Sequence, residues 1–140
     1  MTTQAYLSQL RTIDLEIAMS RTEEVSWLDL ATKMSGGISE IKVQTSPSPD
    51  RMESLVVKAA DCAIKANRER ETLIYTKATI ERQIKALDDS ELRFFLWGYY
   101  HDKKTVEKLS REVHVDKRQG WRIMKKASDA FEDIWGHTYM

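Results

Sequence analysis

The chain has 140 residues, 41% of them hydrophobic and 31% charged, and its 22 basic and 22 acidic side chains give a formal net charge of zero. That length suits one compact domain or a small domain with an extended arm, and the neutral balance excludes a protein that gathers polyanions by bulk charge alone. The single cysteine, Cys62, excludes an intrachain disulfide and a zinc site built on several cysteines.

The opening segment, MTTQAYLSQL, lacks a basic stretch followed by an apolar one, and no run nears the ~18 apolar residues of a membrane span. The expectation is a cytoplasmic protein with no membrane and no cofactor. Charge is unevenly placed despite the zero total. Residues 1–50 carry four basic and seven acidic side chains, residues 51–102 nine of each, residues 103–126 nine and three, and residues 127–140 none and three. Positive charge is therefore concentrated in one short stretch near the C-terminal end.

In chain order, residues 4–34 read as a long amphipathic helix. Tyr6, Leu10, Ile13, Ile17, Val25, Leu28 and Ala31 recur at three- and four-residue steps, with a polar interval at Ser20 and Arg21. Gly36 and Gly37 are expected to end it. Residues 38–48 read as a polar connector with a brief apolar alternation at Ile38, Ile41 and Val43. Ser46 to Asp50 then reads as a rigid turn and helix start. A second long helix is predicted over 49–86, its stripe made by Met52, Leu55, Val56, Ala59, Ala63, Ala66, Leu73, Ile80, Ile84 and Leu87. Neither helix can bury its stripe alone, so the two are expected to fold back as an antiparallel hairpin. The small residues from Ala59 to Ala66 mark a close approach, either within the chain or between two copies. An incompletely covered two-helix arm invites self-association, and a homodimer or higher oligomer is expected.

Asp89 and Ser90 are good cap residues for a third helix over 90–101, with Leu92, Phe95, Leu96 and Tyr99 on its apolar face. Thr105 is placed to cap a helix over 106–113. After a bend at His114 and Val115, Asp116 caps a last helix that buries Ile123, Ala127, Phe131 and Ile134 and stops at Gly136, leaving frayed ends. The segment from Lys104 to Ala127 thus has the pattern of a helix-turn-helix, with Leu109, Val113, Val115 and Ile123 packed across the bend and Ser110 supplying a small residue at the crossing. Two positions depart from the usual pattern. His114 stands at the bend where Gly is commonest, which implies either a less usual turn conformation or a left-handed residue tolerated by His. Gly120 stands where an apolar core residue is normal, either leaving a gap that a buried Trp121 is expected to fill or letting the backbone approach DNA closely; contact of Trp121 with a sugar or a thymine methyl is the alternative for that side chain.

Other chemistry finds little support. His101, His114 and His137 lack ligand spacing, Asp88 and Asp89 are accounted for by capping, and the aromatic set from Phe94 to Tyr100 reads as helical core rather than a base-stacking platform. No nucleophile constellation or phosphate-binding Gly loop is present, so the chain is not expected to be an enzyme.

Residues 87–134, beginning LDDSELRFFLWGYYHDKKTVEKLSREVHVDKRQGWRIMKKA, resemble region 4 of bacterial sigma factors and, more closely, the phage RinA and ArpU-like late transcription regulators. The layout upstream, a helix, a connector ending in SPSPDRMESLVVKAADC and a long charged helix, is similar to a related group of small phage proteins, so the resemblance covers nearly the whole chain. It implies an all-α fold: a helical hairpin over 1–87 that oligomerises or binds a partner, and a DNA-binding helix-turn-helix domain over 88–140. It further implies a phage or prophage regulator that binds double-stranded DNA and works with bacterial RNA polymerase. Carried onto this chain, Lys117, Arg118, Gln119 and Arg122 would face bases in the major groove. Lys104, Thr105, Lys108, Lys125 and Lys126 would meet phosphates. A DNA-packaging protein resembling a terminase small subunit and a polymerase- or sigma-binding interaction module are the alternatives.

Overall fold

The computed structural model describes residues 1–40 and 49–140. Every regular element among them is helical: α1 Thr3–Glu40, α2 Pro49–Lys85, α3 Ser90–Leu96 continued by a π-helical turn Trp97–His101, α4 Val106–Glu112 and α5 Lys117–Tyr139. The all-α hairpin followed by C-terminal helices is thus the observed architecture. The connector at 41–48, with the Ile41 and Val43 alternation and the Ser46–Ser48 turn, lies outside the described residues.

Two compact units are built from these helices: Met1–Asp14 with Tyr75–Met140, and Leu15–Ile74. In the first, Leu7 and Leu10 of α1, Ile80 and Ile84 of α2, Phe95 and Leu96 of α3, Leu109 of α4 and Ala127 and Phe131 of α5 form one buried cluster. Its N-terminal turn is pinned on three sides. The Tyr6 hydroxyl donates to Gln83 Oε1 at 2.5 Å, the Tyr6 ring stacks on Tyr139 at 4.1 Å, and Thr3 Oγ1 lies 2.9 Å from the Tyr139 hydroxyl. Burial raises the Tyr6 pKa above its ordinary 10.0.

The second unit is an antiparallel pair of helix segments with a seven-residue repeat. Covered positions of α1 at Ile17, Ser20, Glu24, Trp27 and Ala31, and of α2 at Met52, Val56, Ala59, Ala63, Ala66, Arg70 and Leu73, alternate steps of three and four, with half-buried Ala60, Cys62 and Asn67 bordering the α2 row. That spacing is the coiled-coil seam. Polar members of the seam are paired across it. The Ser20 hydroxyl donates to the Ala66 carbonyl at 2.6 Å, which requires close backbone approach at a small residue, and Arg70 forms an ion pair with Glu24. The close approach expected along Ala59–Ala66 is therefore found within the chain.

Several expectations are corrected. α1 continues through Gly36 and Gly37 to Glu40, because Gly accepts helical angles at a cost of about 1 kcal/mol and stops a helix only where the chain needs a left-handed residue. Val25, Leu28 and Leu55 are exposed by 59%, 48% and 43%: the seam runs through Ser20 and Glu24 instead. α5 passes Gly136 and reaches Tyr139, since Tyr139 is anchored on Tyr6 rather than frayed. Ile134 is 45% exposed because the covered stripe steps in fours through Ala127, Phe131, Trp135 and Tyr139 toward α1. In the third helix the wider π turn, closed by Asp102 N–H to the Trp97 carbonyl at 3.1 Å, delays the register by one, so Tyr100 is buried and Tyr99 only half-buried.

Candidate nucleic-acid interface

The helix-turn-helix is assembled by local chemistry at each corner. The Thr105 side chain accepts from Lys108 N–H at 3.1 Å and starts α4; the Asp116 side chain accepts from Gln119 N–H at 2.7 Å and starts α5. Between them, His114 sits at φ 60°. Its N–H reaches the Arg111 carbonyl at 3.2 Å, and Val115 N–H reaches the Ser110 carbonyl at 3.0 Å. These two bonds and the left-handed residue make a Schellman ending with His in the position Gly usually takes.

The two helices cross at Ser110 and Gly120. Both are buried, and a Cβ on Gly120 would stand 1.8 Å from Ser110 Oγ and 3.2 Å from Val106 Cγ1. Gly120 thus leaves no gap: the neighbouring helix occupies the space a side chain would need. Trp121, expected to fill that gap, is instead 51% exposed. The crossing also explains Ser110, whose hydroxyl turns back to the Val106 carbonyl at 2.7 Å and satisfies itself inside its own helix.

With Gly120, Ile123, Met124 and Ala127 facing inward, the 100° advance per residue puts Arg118, Arg122 and Lys125 at the centre of the outward face of α5. Lys117 and Trp121 lie on one flank, Gln119 and Lys126 on the other. All seven side chains are exposed. Lys117, Arg118, Arg122, Lys125 and Lys126 form no ion pair within 4.0 Å among the described residues. α4 differs in this respect. Arg111 pairs with Glu107 at 2.8 Å, and Lys104 is held by Glu112 at 3.3 Å. The Arg111 hydrogen bond, aided by the charges of Arg111 and Lys117, holds the Glu107 carboxyl below its ordinary pKa. Lys108 is exposed on α4, and the Thr105 hydroxyl keeps its proton free to donate while its oxygen caps the helix.

The nine expected contact residues therefore divide. Arg118 and Arg122, with Lys125, share one outward face. Gln119, Lys126 and Lys117 border it. Lys104 already has a carboxylate partner, and Thr105 and Lys108 are exposed at the start of α4. The sequence pattern did not reveal the open aromatic wall beside α5, made by Tyr99 and Tyr100 with Trp121; the π turn that brings Tyr100 there has no periodic signature. Compared with known proteins, the chain matches no protein-family model, no curated protein and no solved structure.

Proposed function

We propose that the chain is a sequence-specific double-stranded-DNA-binding transcription regulator that acts by binding rather than catalysis, with α5 as its reading helix. The observation that carries this reading is the run of exposed cationic side chains on the first turns of α5, without ion-pair partners among the described residues, presented by a capped helix-turn-helix. An arginine in the major groove can bond guanine O6 and N7 together, at about 1–3 kcal/mol of discrimination per pair. The resemblance to RinA and ArpU-like regulators supports a phage or prophage late-gene activator working with bacterial RNA polymerase in the host cytoplasm. No helix among the described residues is long and apolar enough to cross a membrane.

A homodimer or higher oligomer is part of the same proposal. Among the described residues of Leu15–Ile74, nine large apolar side chains are exposed, Leu15, Met19, Val25, Val57 and Ile64 by more than half, whereas single exposed residues are the norm on a monomer. Retention of duplex fragments at two salt concentrations tests the reading. One promoter fragment should be retained specifically and in a salt-sensitive way, and Arg118→Ala with Arg122→Ala should weaken it by roughly 100-fold or more. Unchanged affinity and salt slope in that variant would refute the assigned surface. No retention at low salt would favour a protein-interaction module, and a ring of about eight or more copies would favour DNA packaging.

A further inference from the structure

On the Trp121 flank of α5 lies an open cleft of about 280 Å³, walled by Gln4 of α1, Tyr99 and Tyr100 of the π turn, and Trp121, Met124 and Lys125 of α5. We propose that this cleft receives a single unpaired nucleobase, stacked on Trp121 with the adjoining phosphate at Lys125. The inference rests on the DNA-binding reading of α5 and adds a second mode of contact to it.

Four observations carry it. The volume lies just below the ~300 Å³ lower range of ligand sites, a scale that one planar base fits. The walls offer aromatic and thioether surface, which any base can stack upon. Trp121 supplies the open ring face, at 51% exposure, while the Arg11 guanidinium already sits 4.6 Å from the Tyr99 ring centroid. Polar groups for a base edge are present and uncommitted: the side chains of Gln4 and Ser128 and the hydroxyls of Tyr99 and Tyr100 form no hydrogen bond among the described residues, although Tyr100 is only 3% exposed. Burial pushes the Tyr100 hydroxyl up to about 12, so it stays protonated and able to donate. Finally, Trp121 and Lys125 belong both to the cleft and to α5, so a strand lying along the reading helix passes the mouth.

The test uses the full chain and the fluorescent base 2-aminopurine in three probes: bulged from a duplex, paired in the same duplex, and as the free deoxynucleoside monophosphate. The expected result is tighter binding of the bulged duplex than of the paired one, with quenching of the bulged base on binding. Trp121→Ala should abolish the quench and lower bulged-duplex affinity by about 5- to 100-fold, with a far smaller effect on the paired duplex. Tyr100→Phe, which removes only a hydroxyl, should reduce the bulge preference without unfolding the protein. Quenching of the free nucleotide through Trp121 with no bulge preference would also support a nucleobase cleft and assign it to a free ligand. Equal binding of both duplexes with no quench of any probe overturns the cleft and leaves the α5 reading standing; failure of every probe to bind at low salt overturns both.

Discussion

Replacing Gly120 by Ala sets two opposed effects of similar size against each other. Helix propensity favours Ala by about 1 kcal/mol. Against this, the new methyl would lie 1.8 Å from Ser110 Oγ, 3.1 Å from Ser110 Cβ and 3.2 Å from Val106 Cγ1. Turning the Ser110 hydroxyl aside gives up its bond to the Val106 carbonyl in a site 1% exposed, and leaving a buried hydroxyl unpaired costs about 1–3 kcal/mol. Separating the helices instead costs about 1–3 kcal/mol of overpacking strain. Steric loss prevails because the 3.1 and 3.2 Å contacts remain even after the hydroxyl moves. The net expectation is a loss of roughly 1–2 kcal/mol, or about 3–8 °C in Tm for a chain of this size. Urea unfolding followed by helical circular dichroism measures it. In a Ser110→Ala background the closest contact is gone and the cost of Gly120→Ala should shrink by about 1 kcal/mol, a coupling that a double-mutant cycle isolates. If Gly120→Ala alone raises the midpoint as propensity predicts, α4 and α5 do not cross there.

Further expectations concern the bend, the seam and the pH response. His114→Gly should stabilise by about 0.5–1 kcal/mol, because a left-handed L-residue costs about 1–2 kcal/mol and the greater freedom of Gly in the unfolded chain returns part of it; His114→Val should destabilise, and tolerance of Val would argue against the φ of 60°. Arg70→Met, by stranding the part-buried Glu24 carboxylate, should cost about 1–3 kcal/mol in thermal or urea unfolding. Glu24→Leu with Arg70→Met should recover most of that loss; purely additive losses would show that the pair is not coupled. The hydrogen bond from Lys77 to Asp14, 2.6 Å long, holds the Asp14 pKa below its ordinary 3.8. The unfolded chain then binds more protons in that window, so this contribution is complete above about the ordinary value and is lost as pH falls through the folded one. Urea midpoints across acidic pH should fall less steeply for Asp14→Asn than for the parent chain, and identical slopes would remove Asp14 from the acid response.

Features set by chemistry within one turn of chain were legible in the sequence. Asp89, Thr105 and Asp116 cap their helices as their residue types predict, because a short side-chain acceptor beside free N–H groups acts locally. His114 and Ser110 likewise stand where the spacing placed them. Features that depend on a partner surface were not legible. Ser20 and Glu24 look like a break in a stripe until Ala66 and Arg70 stand opposite. Trp121 reads as core by composition, yet the space beside Gly120 is already taken by Ser110. Tyr99 and Tyr100 exchange roles because one widened turn shifts the register. For the candidate interface, the cationic positions were visible while their sorting into free and paired charges was not: nothing in the sequence tells that Glu112 reaches back eight residues to Lys104.

The seven-residue seam of the second unit has a consequence for how this chain can change in length. A block of seven residues restores the facing positions after two turns, about 10.5 Å farther along the axis. Gains or losses of matched heptads in α1 and α2 are thus neutral to packing, whereas an unmatched insertion of one or two residues would carry Ser20 and Glu24 off their partners. The hairpin is in this sense a ruler graduated in units of seven, whose extent could drift among relatives while its layers stay in phase.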